Sequence, residues 1–120
     1  MLPGYREIFV RLGLGQSPDA LFVACSDSRV AVNVFASTDP GDLFVVRNVG
    51  SLVPPYEENA QPTADESETA ALEFSLNTLS VSNIIICGHS ECGAMQALVA
   101  GRENVKTTRL REWLSHGILP

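Results

Sequence analysis

Three short apolar segments are spread along the chain, and each is bounded by polar or turn-forming residues. They are ALFVACS at 20–26, DLFVVRNVG at 42–50 and SNIIICGHS at 82–90. A continuous apolar run of this length is typical of a strand in a parallel sheet, and the first run predicts a strand buried on both faces. The STDPG motif at 37–41 predicts a turn immediately before the second strand.

Segments with helical periodicity alternate with these strands. Residues 5–12 place apolar side chains at helical spacing, and a second helix is predicted to begin near Asp65–Ser67. ECGAMQALVA at 91–100 predicts a helix entered directly from the third strand, and TTRLREWLSHG at 107–117 predicts a last short helix. The polar, proline-rich PPYEENAQPT at 54–63 predicts a loop.

The order of these elements indicates the α/β fold class. We expect a single domain over residues 1–120, with a central parallel β-sheet flanked by helices. Ligand sites in such folds lie just beyond the carboxyl ends of the strands. CSDSR at 25–29 and CGHSEC at 87–92 lie at two such ends. Functional residues are therefore expected in these two stretches.

Composition narrows the classes of function. The 120 residues are 45% hydrophobic and 18% charged, and 8 basic against 14 acidic residues give a net charge of -6. The acidic balance argues against nucleic acid or an anionic membrane as partner. No apolar run reaches the roughly 20 residues of a membrane span. Because the 3 cysteines are an odd number and no N-terminal export pattern is present, reduced thiols and a cytoplasmic location are expected.

Five residues at the two strand ends form a candidate metal site. Cys25, His89 and Cys92 offer two thiolates and one imidazole, a donor set that suits zinc better than magnesium or calcium. His89 and Cys92 are three residues apart, so both can bind one ion. The fourth tetrahedral position is left for water or Asp27, and an open position is typical of a catalytic zinc site. If the backbone stays extended, Cys25, Asp27 and Arg29 point to one side.

Each of these residues also has a purely structural interpretation. Cys25 and Cys92 can be small core residues, and His89 can cap a helix. Asp27 and Arg29 can form a structural ion pair. The metal site is favoured because matched ligand types occur at two separate strand ends, with an acid and a base beside one of them.

Two further reactive side chains are predicted to lie outside the site. Cys87, within the isoleucine run, is expected to be a core residue, and His116 is expected to be solvated at the surface. Spacing excludes two other cysteine chemistries. A phosphatase loop requires arginine six positions after its cysteine, where this chain has Ala31, and no two cysteines have the C-x-x-C spacing of a redox pair.

Three motifs resemble the core of the β-class carbonic anhydrases, which are zinc enzymes that hydrate carbon dioxide. They are CSDSRV at 25–30, DPGDLFVVRNVGSLVPPY at 39–56 and ETAALEFSLNTLSVSNIIICGHSECGA at 68–94. The resemblance covers residues 16–101.

The resemblance implies a cofactor, a reaction and an assembly. One zinc ion per chain would be bound by Cys25, His89 and Cys92. Asp27, held by Arg29, would orient a zinc hydroxide that attacks carbon dioxide to give bicarbonate and a proton. A homodimer or higher homo-oligomer is expected.

Five more positions match residues that contact substrate in the family. Gln16 matches a glutamine that hydrogen-bonds substrate from the adjoining subunit. Phe44 and Val49 match residues of the apolar carbon dioxide pocket, with Phe44 reaching in from the partner chain. Gly93 matches a backbone N–H that contacts the bound anion. Phe74 stands where plant-type members have tyrosine, which implies a drier pocket.

The chain is shorter than typical family members, so we expect it to be incomplete at the C-terminal end. Two alternative functions stay open. One is a carbonyl sulfide or carbon disulfide hydrolase on the same zinc scaffold. The other is a zinc-binding subunit without catalytic activity.

Overall fold

A computed structural model of the chain describes residues 4–55 and 66–118. Its helices and strands follow the predicted alternation, and in chain order they are α1 Tyr5–Leu12, β1 Ala20–Cys25, α2 Val32–Phe35, β2 Leu43–Asn48, α3 Glu66–Glu73, β3 Asn83–Ile86, α4 Gly93–Ala100 and α5 Thr108–Leu114. A π-helical turn, Phe74–Thr78, continues α3, and 3₁₀ turns cover Arg102–Asn104 and Ser115–Gly117.

The three strands form one parallel sheet in the order β2-β1-β3. Cys25 on β1 pairs with Asn48 on β2, and Val23 on β1 pairs with Ile86 on β3. All six residues of β1 are buried, because the strand has a neighbour on each side and cover on both faces. The predicted α/β class and the doubly buried first strand are confirmed.

Helices cover the two faces of β1 through alternate side chains. Leu21 and Val23 pack with Leu72 of α3, whereas Phe22 and Ala24 on the other face pack with Val32 of α2. Successive strand residues point to opposite faces, so an uninterrupted apolar run supplies both cores.

A third cluster lies beyond the carboxyl end of β1. Cys25 and Cys92 pack there with Leu52, Ala94 and Leu114, and Leu114 is fully buried. The side chains of α4 and α5 therefore support the two stretches that carry the candidate metal ligands.

The structure differs from the sequence-based expectations mainly at the ends of elements. The third strand is limited to Asn83–Ile86, and six residues separate it from α4, so this helix is not entered directly from the strand. The short helix α2 was not expected. The helix predicted near Asp65–Ser67 is present from Glu66 onward, whereas Asp65 and most of the loop predicted at 54–63 lie outside the described residues.

Candidate metal centre

Three side chains from two separate segments meet beyond the carboxyl end of β1. Cys25 is the last residue of that strand, and Cys92 immediately precedes α4; both are buried. His89 lies half-buried in the loop between β3 and α4. The ligand atoms of Cys25, His89 and Cys92 all lie within 4.8 Å of one another, and no other such group of potential metal ligands occurs among residues 4–55 and 66–118.

The hydrogen bonds of His89 leave one ring nitrogen available to a metal. Its Nδ1 lies 2.8 Å from the carbonyl oxygen of Ser90, which assigns the N–H to Nδ1. Its Nε2 is buried and has no hydrogen-bond partner. A buried nitrogen lone pair facing two thiols is the arrangement that a zinc ligand requires, since the outer hydrogen bond fixes the ring. These residues therefore fit a zinc ion.

The surroundings of Cys25 favour its thiolate form. Burial raises the pKa of the thiol, but the backbone N–H groups of Gly50 and Asp27, with the side chains of His89 and Cys92, outweigh this effect and lower the pKa to about 7. The Gly50 N–H donates to the Cys25 sulfur at 3.4 Å. Proximity to Cys25 in turn raises the pKa of His89, although no contact at Nε2 has hydrogen-bond geometry. Thiolates are the metal-binding form of cysteine.

Asp27 and Arg29 form an ion pair across a tight turn. Arg29 donates from Nε to Asp27 Oδ1 at 2.9 Å and from Nη2 to Oδ2 at 2.6 Å, and its backbone N–H donates to Oδ1 at 2.8 Å. These hydrogen bonds from Arg29 hold the pKa of the Asp27 carboxyl far below its usual range. The Val30 N–H donates to the Asp27 carbonyl at 3.0 Å. The backbone after Cys25 therefore does not stay extended, which was the condition for these side chains to point to one side, and a turn brings Asp27 and Arg29 together instead.

Arg29 also connects the two segments that carry the ligands. Its Nη2 donates to the carbonyl oxygen of Glu91 at 2.9 Å, in the loop between His89 and Cys92. Glu91 has a φ of 57°, a left-handed conformation that costs energy for a residue with a side chain. Asp27 Oδ2 lies 3.8 Å from His89 Nε2. The acid therefore stands beside the three ligands while it is paired with Arg29.

Two supporting residues at the end of β2, Arg47 and Asn48, are not predicted from the sequence. Arg47 donates to the carbonyl oxygens of Cys25 at 3.0 Å and Asp27 at 2.8 Å. The buried Asn48 side chain exchanges two 2.8 Å hydrogen bonds with the backbone of Leu52, which shapes the turn that contains Gly50. The only available signal was the polar pair Arg-Asn at the end of an otherwise apolar run.

The residues matched to a substrate pocket fall into two groups. Gln16 is exposed before β1, and the rings of Phe44 and Phe74 lie 5.7 Å apart on the α3 face of the sheet. Val49, in the loop after β2, and Gly93, at the start of α4, instead lie at the carboxyl end of the sheet. The carbonyl of Val49 accepts a 2.7 Å hydrogen bond from the Trp113 indole. A side chain added at Gly93, the first residue of α4, would meet no atom within 4 Å.

The two reactive side chains predicted to lie outside the site do so. Cys87 is half-buried against the core beside Phe22 and Ala24, as expected, and does not belong to the ligand group. His116 is not a solvated surface residue: it is half-buried, and its ring packs edge-on against Trp113 with centroids 5.1 Å apart.

Comparison with known proteins gives the family. A family model described as "Carbonic anhydrase" matches residues 20–118. A curated carbonic anhydrase from Synechocystis is 42% identical over 113 residues, which are 93% of this chain and 39% of that protein. The solved β-carbonic anhydrase CcaA superimposes with a TM-score of 0.81 at 42% identity, covering 94% of this chain and 49% of that one.

A second similar structure comes from a protein that is described as a tetramer. One of two tetrameric β-carbonic anhydrases from Sordaria macrospora is 34% identical with a TM-score of 0.72, covering 92% of this chain and 51% of that one. A carbon disulfide hydrolase, at 20% identity and a TM-score of 0.56, shares the fold, and a likeness at that level shows no more.

This chain belongs to the β-class carbonic anhydrase family. It spans less than half the length of both the Synechocystis relative and the CcaA structure. No helix in the part of the chain that the structure describes is long and apolar enough to cross a membrane.

Proposed function

We propose that this chain catalyses the reversible hydration of carbon dioxide to bicarbonate and a proton, with one zinc ion bound by Cys25, His89 and Cys92. The observation that carries the proposal is the convergence of these three ligand atoms within 4.8 Å. Membership of the carbonic anhydrase family supports it. Two thiolates and one imidazole leave one tetrahedral position for water, as in catalytic zinc sites.

Bound zinc would lower the pKa of a coordinated water and so supply a nucleophile at neutral pH. Asp27 would accept a hydrogen bond from the attacking water and orient it. The pairing with Arg29 keeps this carboxylate ionised and directed, since its lowered pKa leaves it charged at any physiological pH. Bicarbonate would leave past the free backbone N–H groups at the start of α4, beginning with Gly93, where partial positive charge favours an anion.

The apolar part of the pocket is proposed to come from two subunits. Val49 would contact carbon dioxide within the same chain. Gln16 precedes β1, whose six residues rise by about 17 Å before reaching Cys25. Gln16 and Phe44 lie toward the opposite end of the sheet from the ligands, so we assign them, with Phe74, to the site of a partner copy. The active form would then be a homodimer or a larger homo-oligomer.

The test is stopped-flow carbon dioxide hydration, with zinc measured on the same samples. The parent should contain one zinc per chain and hydrate carbon dioxide. Cys92→Ser should lose both properties, because a thiolate ligand is replaced by a poorer donor. Cys87→Ser is the matched control and should retain both, since Cys87 lies outside the ligand group. Zinc-loaded parent protein without hydration would contradict the proposed activity.

Two alternatives are separated by the same samples. Turnover of carbonyl sulfide or carbon disulfide in preference to carbon dioxide would identify a related hydrolase with the same ligands. Full zinc with no turnover of any of these substrates would identify a zinc-binding subunit.

A cytoplasmic location is also proposed, and it is supported by the three free cysteines, which suit a reducing compartment.

A further inference from the structure

Arg47 holds the backbone on either side of the turn that begins the metal centre. Its Nε donates to the carbonyl oxygen of Cys25 at 3.0 Å, and its Nη2 donates to the carbonyl oxygen of Asp27 at 2.8 Å. One planar guanidinium thus binds the backbone of two residues with different chemistry. Cys25 carries a ligand sulfur, and Asp27 carries the carboxylate beside it.

The sheet does not hold this segment on its own. The pairing of β1 with β3 ends with the Cys87 N–H donating to the Val23 carbonyl at 2.9 Å. On the β2 side, the Ser26 N–H donates to the Asn48 carbonyl at 2.8 Å, after which the chain turns away. The carbonyls of Cys25 and Asp27 accept hydrogen bonds from Arg47 at the point where the ladder ends.

We propose that Arg47 is a positioning residue, which fixes the Cys25 sulfur and the Asp27 carboxylate relative to each other by clamping both carbonyls. This inference rests on the proposed function, because it concerns the same metal centre. Arg47 contributes no ligand atom to that centre. Its effect would be exerted through the backbone, which is distinct from the direct pairing of Asp27 with Arg29.

Arginine is needed for this arrangement because its two donating nitrogens are held in one rigid plane. A lysine at the same position would keep the positive charge but present a single ammonium group on a flexible stem. It could not hold two carbonyls at a fixed separation. Displacement of a reacting group by about 1 Å is enough to reduce a rate by about 100-fold.

The test compares Arg47→Lys and Arg47→Gln with a matched control. Arg102→Lys is that control, because Arg102 also donates to a backbone carbonyl, that of Arg111 at 2.9 Å, outside the metal centre. Each protein is loaded with cobalt(II), and the thiolate-to-cobalt charge-transfer and d–d bands are recorded. Zinc-loaded samples give kcat and KM for carbon dioxide. Fluorescence of Trp113, the single tryptophan, reports folding.

Arg47→Lys should fold, bind cobalt and give shifted d–d bands, while its kcat falls by about 10-fold or more and its KM changes little. Arg102→Lys should match the parent in both respects. If Arg47→Gln fails to fold, Arg47→Lys decides the question. Unchanged cobalt bands in Arg47→Lys, or equal changes in Arg102→Lys, would overturn the proposal.

Failure of the proposed function gives a different result. If the parent shows the thiolate–cobalt band but does not hydrate carbon dioxide, the proposed activity is wrong. The cobalt bands of the parent and of Arg47→Lys can still be compared, so the role of Arg47 is still tested. A parent without that band overturns the metal assignment and the role of Arg47 together.

Discussion

The Asp27 carboxylate has two neighbours at very different distances. Arg29 holds both of its oxygens through side-chain hydrogen bonds of 2.6 and 2.9 Å, whereas His89 Nε2 lies 3.8 Å from Oδ2. The carboxylate is therefore turned toward the arginine and stands beside the candidate metal ligands. Loss of Arg29 would remove this restraint and let Asp27 swing toward the fourth coordination position.

Arg29→Lys should lower kcat by about 10- to 100-fold at unchanged zinc content, because lysine cannot reproduce the two-pronged contact. Part of the decrease in kcat should come from looser packing of the 89–92 loop, since the Glu91 carbonyl also loses its donor. Stopped-flow hydration measures kcat, and zinc analysis of the same samples measures the zinc content. Arg109→Lys is the control, because Arg109 is exposed on α5. Full activity in Arg29→Lys would show that the ion pair is only structural.

At the level of elements, the turn after β2 is built to approach the ligand segment closely. Gly50 has a φ of +90°, and its N–H donates to the Cys25 sulfur at 3.4 Å. A Cβ at this position would lie 3.0 Å from Ala94 Cβ and 3.2 Å from Met95 Cε. The absence of a side chain therefore serves both the backbone conformation and the contact with α4.

Gly50→Ala should reduce the free energy of unfolding by about 1–3 kcal/mol through strain at positive φ. It should also weaken metal binding by about 10- to 100-fold, because the N–H that supports the Cys25 thiolate is displaced. Urea unfolding and competition with a chromophoric chelator measure the two effects. Gly4→Ala is the control, since Gly4 has a φ of +91° and open space around it. An equal loss of metal affinity in both variants would rule out the close approach as the cause.

The sequence was most informative where chemistry or burial leaves few options. ALFVAC is apolar at every position, so it predicts a buried strand whichever way the side chains alternate. Cys25, His89 and Cys92 were predicted as a group because two thiolates and an imidazole at strand ends have few other uses together. The structure brings these three together as expected.

Other features depend on which residues meet in the folded chain, and the order of apolar and polar residues along the sequence does not show this. The isoleucine run predicts the strand β3 but not its burial: Ile84, Ile85 and Ile86 are 42–59% exposed, since within the described residues only β1 pairs with this strand. The turn after Cys25 is set by a local hydrogen bond from the Arg29 N–H to Asp27 Oδ1. The reach of Arg47 across the end of β1 depends on the sheet itself.

At the level of the whole molecule, the two groups of residues proposed to line the pocket lie toward opposite ends of one sheet. Val49 and Gly93 are near the candidate metal ligands, whereas Gln16 lies before the first residue of β1. A two-fold assembly would bring the second group of one copy to the ligands of the other. Each active site would then require two chains.

This arrangement predicts complementation between inactive variants. Cys92→Ser and Gln16→Ala should each lower activity, but a refolded equimolar mixture should recover about a quarter of the parental rate, because half of the dimers contain one intact site of two. Stopped-flow hydration of the mixture measures the recovery. Cys92→Ser mixed with His89→Ala should show none, since both changes damage the same half-site. No recovery in the first mixture would contradict a shared site.

Cys25, His89 and Cys92 are proposed to bind one zinc ion, whose fourth position would be taken by a light atom. Zinc-edge X-ray absorption on the zinc-loaded parent tests it most directly. We expect two sulfur scatterers at about 2.3 Å and two nitrogen or oxygen scatterers at about 2.0–2.1 Å, one of them an imidazole. A spectrum with no sulfur, or with three sulfur scatterers that include Cys87, would contradict it.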